Sequence, residues 1–98
     1  MVHVLLCHKV ADYSRWKEAF DAHLNTRMHA GELGFRLFQG VEDPREVTLL
    51  FDWDSVEHAR KFMTSAELQA AMEKAGVVGS PDVHYIEDAR TVRRTSAD

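Results

Sequence analysis

Cysteine is almost missing from this chain: Cys7 is the only one in 98 residues. A single thiol closes no disulfide within the chain. A secreted scaffold stapled by bridges is therefore excluded, and Cys7 reads as a small core hydrophobe of a reducing compartment, which points to the cytoplasm. Proline occurs twice and glycine five times, too seldom for a fibrous or low-complexity chain. Long apolar runs are lacking as well. The stretch Val4-Leu5-Leu6-Cys7 is bounded by His3 and His8, far short of the roughly 20 residues that span a membrane or the 7–15 of a signal-peptide core. The chain is expected to be neither exported nor embedded, and no membrane partner is expected.

An excess of positive charge is also absent. Twelve Lys and Arg stand against sixteen Asp and Glu, a net charge of −4. That sign does not suit a protein whose task is holding phosphate backbones, so nucleic acid is not an expected partner. Glycine-rich phosphate loops, nucleotide fingerprints and Cys-pair metal knuckles are not found. The six histidines, His3, His8, His23, His29, His58 and His84, include no pair four residues apart, so no dedicated metal site is expected. What is present is a globular composition, 45% hydrophobic and 29% charged, at a length that makes one domain.

Val2 to Val10 reads as a strand. One face carries Val2, Val4, Leu6 and His8, and the other His3, Leu5, Cys7 and Lys9; both are largely apolar, so each needs a cover. Asp12 suits an N-cap, and Tyr13, Trp16, Phe20, Leu24 and Met28 recur at helical spacing until Gly31. Trp16, His23 and Arg27 share a side of that helix. Residues 35–41 and 46–53 are β-rich runs joined by Glu42-Asp43-Pro44-Arg45, a turn sequence, and should form an antiparallel hairpin.

Asp54 with Glu57 resembles a capping box ahead of a stripe of Val56, Ala59, Phe62 and Met63. Thr64 with Glu67 repeats the pattern before Leu68, Ala71, Met72 and Ala75, which predicts a helix broken or kinked near Ser65. Gly76 ends it, Val77 to Pro81 reads as a connection, and Val83 to Glu87 as a short last strand. The tail from Ala89, with Arg90, Arg93 and Arg94, has no periodicity: it is frayed or docked on a neighbour. A folded domain over 1–88 and a tail over 89–98 are expected.

The order β-α-β-β-α-β is the ferredoxin-like α+β arrangement, a four-stranded antiparallel sheet with both helices on one face. The other face is then bare. Because the strands place aliphatic residues on both faces, a second copy is the expected cover, giving a two-fold homodimer joined through the sheets.

Particular residues add a family resemblance. His8-Lys9-Val10-Ala11-Asp12-Tyr13 with Trp16-Lys17, then Asp43-Pro44-Arg45-Glu46-Val47, Phe51-Asp52-Trp53-Asp54-Ser55, Ala59-Arg60-Lys61-Phe62 and Ser65-Ala66-Glu67-Leu68 resemble the antibiotic biosynthesis monooxygenase-like branch of the dimeric α+β barrel superfamily. The similarity spans roughly residues 2 to 88. It implies a dimeric α+β barrel with a ligand cavity between sheet and helices in each subunit. It also implies a cofactor-independent monooxygenase acting on phenolic, quinol or polyketide-type aromatic compounds.

In such an enzyme the protein excludes water, orients a planar ring, takes a proton and stabilises the resulting anion. His23 or His8 is the candidate base. Arg27 is the candidate oxyanion holder, and Trp16, Phe38, Trp53 and Phe62 are candidate walls for a flat ring. No cofactor is expected. Heme-degrading relatives carry an axial histidine ten residues after an aromatic position that corresponds to Phe62, and this chain has Met72 there. The alternative for each residue is structural: Trp16 and Trp53 as core, and His23 and Arg27 as a pair satisfying backbone carbonyls or a carboxylate such as Asp21 or Glu57. The alternative for the whole is a non-catalytic dimeric binding or accessory module.

Overall fold

The computed structural model of the chain describes residues 1–95. Its elements are β1 (Val2–Val10), α1 (Tyr13–Ala22), α2 (Leu24–Ala30), β2 (Glu32–Gln39), β3 (Glu46–Trp53), α3 (Val56–Met63), α4 (Ala66–Lys74) and β4 (Val77–Glu87). The strands form one antiparallel sheet in the order β2-β3-β1-β4. This is the expected ferredoxin-like α+β fold, with each of its two helical crossings divided into a pair.

Alternation along the strands decides which face takes the helices. Val4 pairs with Phe51, Leu6 with Leu49 and His8 with Val47, and directly paired residues point to the same face. Val4, Leu6, Val10, Val47, Leu49, Phe51 and Trp53 are buried together with Trp16, Ala59 and Met63 from the helices. Each of the larger side chains contributes about 1.5–3 kcal/mol on full burial, and a slip of one residue would turn all of them outward, so this layer fixes the register. On the opposite face His3, Leu5, Cys7 and Leu50 are half-buried, and Phe38 and Ile86 are exposed.

Three element boundaries need correction. The first helix is not continuous to Gly31 but breaks at His23, for a reason given below. Strand β2 starts earlier than position 35, at Glu32, and ends at Gln39. The segment read as a connection, Val77 to Pro81, is the first half of β4: Val77 pairs with Val10 and Val78 with Lys9, and a register shift opposite His8 absorbs Gly79, Ser80 and Pro81. Gly79 makes that shift possible by taking φ = 72°, and Pro81 is tolerated because β4 is an edge strand.

The break near Ser65 is present, but serines rather than Asp54 and Thr64 make the caps. Ser55 Oγ accepts from the His58 N–H and Ser65 Oγ from the Leu68 N–H, both at 3.2 Å. Residues 88–95 follow β4 without helix or strand and are exposed. Of the tail expected over 89–98, positions 96–98 lie outside the described residues.

Candidate functional site

The stripe of α1 carries Trp16 and Phe20, stacked with ring centroids 5.0 Å apart. Three residues after Phe20 the helix is interrupted, and the cause is Arg27, seven residues along from Phe20. Arg27 donates from Nε to Glu32 Oε1 at 2.6 Å and from Nη1 to the Phe20 carbonyl, and its guanidinium lies 3.7 Å above the centre of the Phe20 ring. The same carbonyl accepts the His23 N–H at 3.2 Å. A side chain inserted at the carbonyls of the ladder is an established cause of a break. The helix stops at Ala22, restarts at Leu24, and leaves His23 at the joint.

This joint faces a cleft. Trp16, Phe20, His23 and Arg27 from α1, α2 and the joint between them line one wall, and Phe62, Leu68, Ala71, Met72 and Ala75 from α3, α4 and the C-cap of α4 the other. Among the described residues His23 is the only titratable lining group besides Arg27, and its ring makes no hydrogen bond with them. Arg27 is committed: it is 3% exposed, and its partner Glu32 is 5% exposed. The charge of Arg27 is therefore neutralised before any ligand arrives. Its effect on the site is to shape the joint that presents His23.

The inner cavity is small, about 60 Å3, whereas an apolar cavity that takes benzene is about 150 Å3. A ring therefore has to use space beyond it. Directly outside, between α1 and α4, lies a groove of about 410 Å3 that shares Ala19, His23, Ala71 and Ala75 with the inner cavity. Three alanines and one imidazole thus separate the two spaces. The opening is narrow in side-chain bulk and carries a single polar group.

The other residues singled out from the sequence lie elsewhere. His8 is 9% exposed on the helix-facing side of β1, edge-on to Trp16 at 5.4 Å, and neither ring nitrogen has a partner among the described residues. Burial pushes its pKa down to about 4. His8 does not line the cleft; Trp16, in contact with it, does. Trp53 is 1% exposed, its ring 5.5 Å from that of Phe62, with Nε1 unpartnered among the described residues. It backs the cleft wall without reaching the space. Phe38 pairs with Thr48, which pairs with Cys7, so it stands on the helix-free face of the sheet beneath the Arg36 guanidinium. The structure thus brings Trp16, His23, Arg27 and Phe62 together, and leaves His8, Trp53 and Phe38 outside the space.

Ala19, Phe20, Leu68, Ala71, Met72 and Ala75 complete the lining and were read only as helix stripes. Their periodicity was visible, but which stripe meets which is a matter of packing. Among the described residues, no cluster of three or more His, Cys, Asp or Glu has the arrangement to hold a metal ion. No described helix is long and apolar enough to cross a membrane.

The family model described as antibiotic biosynthesis monooxygenase matches residues 12–74, from the cap of α1 to the end of α4, and so includes both walls of the cleft except Ala75. The chain belongs to the antibiotic biosynthesis monooxygenase family. Among solved structures, a candidate antibiotic biosynthesis monooxygenase of Bordetella bronchiseptica is similar at 21% identity, covering 91% of this chain and 97% of that one with a TM-score of 0.77. SnoaB, a cofactor-independent oxygenase of Streptomyces nogalater, is similar at 9% identity, covering 93% and 95% with a TM-score of 0.74. A candidate family protein of Caulobacter crescentus covers 91% and 90% at 17% identity with a TM-score of 0.68. At these identities the likeness shows the fold alone, the ferredoxin-like α+β arrangement described above. No curated protein matches the chain.

Proposed function

We propose that this family member is a homodimer that binds a planar phenolic, quinol or polyketide-type aromatic compound in the cleft and oxidises it with dioxygen without a cofactor. The observation that carries the reading is the position of His23: an imidazole with no hydrogen bond among the described residues, placed where an apolar cavity opens into a groove. Trp16, Phe20 and Phe62 give the ring apolar walls. His23 accepts the phenolic or carbon-bound proton, and the electron-rich anion left behind reacts with oxygen. Exclusion of water by the apolar lining keeps the anion from being reprotonated.

A second copy on the helix-free face supports the arrangement. Leu5, Leu50, Ile86 and Phe38 stand there outside the core cluster, and covering them leaves the helical side for the ligand. The small inner cavity favours a second reading, a binding module of the same fold without catalysis. Its signature is ligand binding with no oxygen consumed.

Anthrone distinguishes the two. Its methylene carbon loses two hydrogens and gains one oxygen atom to give anthraquinone, and the second oxygen atom leaves as water. Oxygen uptake should exceed the spontaneous rate and match the anthrone consumed. A His23→Phe variant should lose about 10²–10⁴-fold in kcat, the usual worth of a general base. Uptake no faster than with heat-denatured protein overturns the enzymatic reading.

A further inference from the structure

A second hollow meets the cleft at one side chain. Between α4 and the shifted first half of β4 lies a space of about 350 Å3, with Gln69, Glu73, Ser80 and Pro81 on its walls. Met72 lines this hollow and the inner cavity, and among the described residues no other lines both. The two spaces differ in character: the inner one is apolar apart from His23 and Arg27, and the outer one carries an amide, a carboxylate and a hydroxyl.

Methionine is unbranched with three rotatable bonds and adapts to irregular space. Met72 is half-buried, and α4 buries none of its residues fully, so the side chain is not clamped from all sides. Closed, it leaves an inner space too small for a ring. Turned aside, it joins that space to the outer hollow and brings the site to the roughly 300–1,000 Å3 of small-molecule pockets.

We propose that Met72 sets how long a ligand this site accepts: it turns aside to pass the end of the aromatic compound remote from His23, and the groups beyond it suit a neutral hydroxyl at that end. The inference rests on the aromatic reading of the cleft. The rings lie along the apolar cavity, and the far hydroxyl passes Met72 to meet Gln69, Glu73 and Ser80. A hydroxyl can donate to the Glu73 carboxylate, whereas a carboxylate on the ligand would face a like charge. Two-ring compounds remain on the His23 side, where the outer groove, lined by four alanines with Arg15, Glu18, His23 and Lys74, gives them space without any movement of Met72.

Calorimetric titration with 1-naphthol, 2,6-dihydroxyanthraquinone and anthraquinone-2-carboxylate tests this on the full chain. Met72→Ala should tighten binding of the dihydroxyanthraquinone at least tenfold and Met72→Trp should weaken it at least tenfold, with 1-naphthol changed by less than threefold in each. Wild-type protein should bind the carboxylate at least tenfold more weakly than the dihydroxy compound. Binding of 1-naphthol also shows that each variant is folded. If 1-naphthol binds and the ratio of the two affinities is the same in all three proteins, Met72 is no partition and the aromatic reading stands. If no compound binds to any of them, the aromatic reading itself fails and takes the partition with it.

Discussion

His8 is the residue whose environment is least comfortable: an imidazole closed in on the helix side of β1, against the edge of Trp16, with both nitrogens unpaired among the described residues. A buried polar group left unpaired costs about 1–3 kcal/mol. Its folded pKa, about 4, lies below the ordinary 6.5, so the unfolded chain binds the extra proton. The neutral ring therefore contributes stability above pH 6.5, and that contribution is lost as pH falls toward 4, up to roughly 3 kcal/mol in all. His3 has the opposite sign. Burial opposes its charge, but the carboxylates of Asp88 and Asp52, 2.6 and 2.7 Å from its nitrogens, outweigh burial and raise its pKa. Its contribution is complete below pH 6.5 and fades as pH rises through the raised value. His8→Leu should accordingly stabilise the protein by about 1 kcal/mol at pH 7 and by more at pH 5, as urea unfolding at the two pH values will show; an unchanged pH dependence would mean that His8 is not the buried neutral group described. At this scale the sequence singled out Trp16, His23 and Arg27 as one group, and the three line the same cleft. It did not reveal that Arg27 is occupied by Glu32, because five residues and a turn separate them and only the fold of that turn closes the distance.

The elements owe their ends to short-range chemistry, and one of those ends also positions the site. Gly31 closes α2 with φ = 123°, its N–H on the Arg27 and Met28 carbonyls, and its own carbonyl accepts the Asp54 N–H at 3.0 Å. A Cβ built there would stand 2.5 Å from Asp54 Oδ1. Gly31→Ala should therefore cost about 3 kcal/mol from backbone strain and the displaced carboxylate together. Gly34→Ala, whose nearest neighbour would be 3.9 Å away, should change stability by less than about 1 kcal/mol. Urea midpoints of the two variants check the contrast, and equal losses would contradict it. Gly31 as a helix stop was legible from the periodicity that ends there. The interruption at His23 was not, because Trp16, Phe20, Leu24 and Met28 keep their spacing across it and the cause is a side chain folding back from Arg27. Likewise the first half of β4 looked like a loop, since Gly79, Ser80 and Pro81 are turn residues; pairing of Val77 and Val78 with β1 overrides that local preference.

For the molecule as a whole, element order and two-faced apolarity were enough to predict the sheet, its helical cover and its bare side. The site was legible only in part: the helix side bearing Trp16, His23 and Arg27 could be drawn from spacing, but the opposite wall, the alanine-lined opening and the exclusion of Phe38 all depend on which face each strand residue takes. The physical premise under the functional reading is that the two faces have different occupants. On that premise helices and a ligand share one, and an identical chain closes the other, where Leu5, Leu50, Ile86 and Phe38 stand outside the core cluster of the described residues. Sedimentation equilibrium at low micromolar concentration tests that premise most directly. The account requires a particle of twice the 11.2 kDa chain mass; a single species at 11.2 kDa would contradict it.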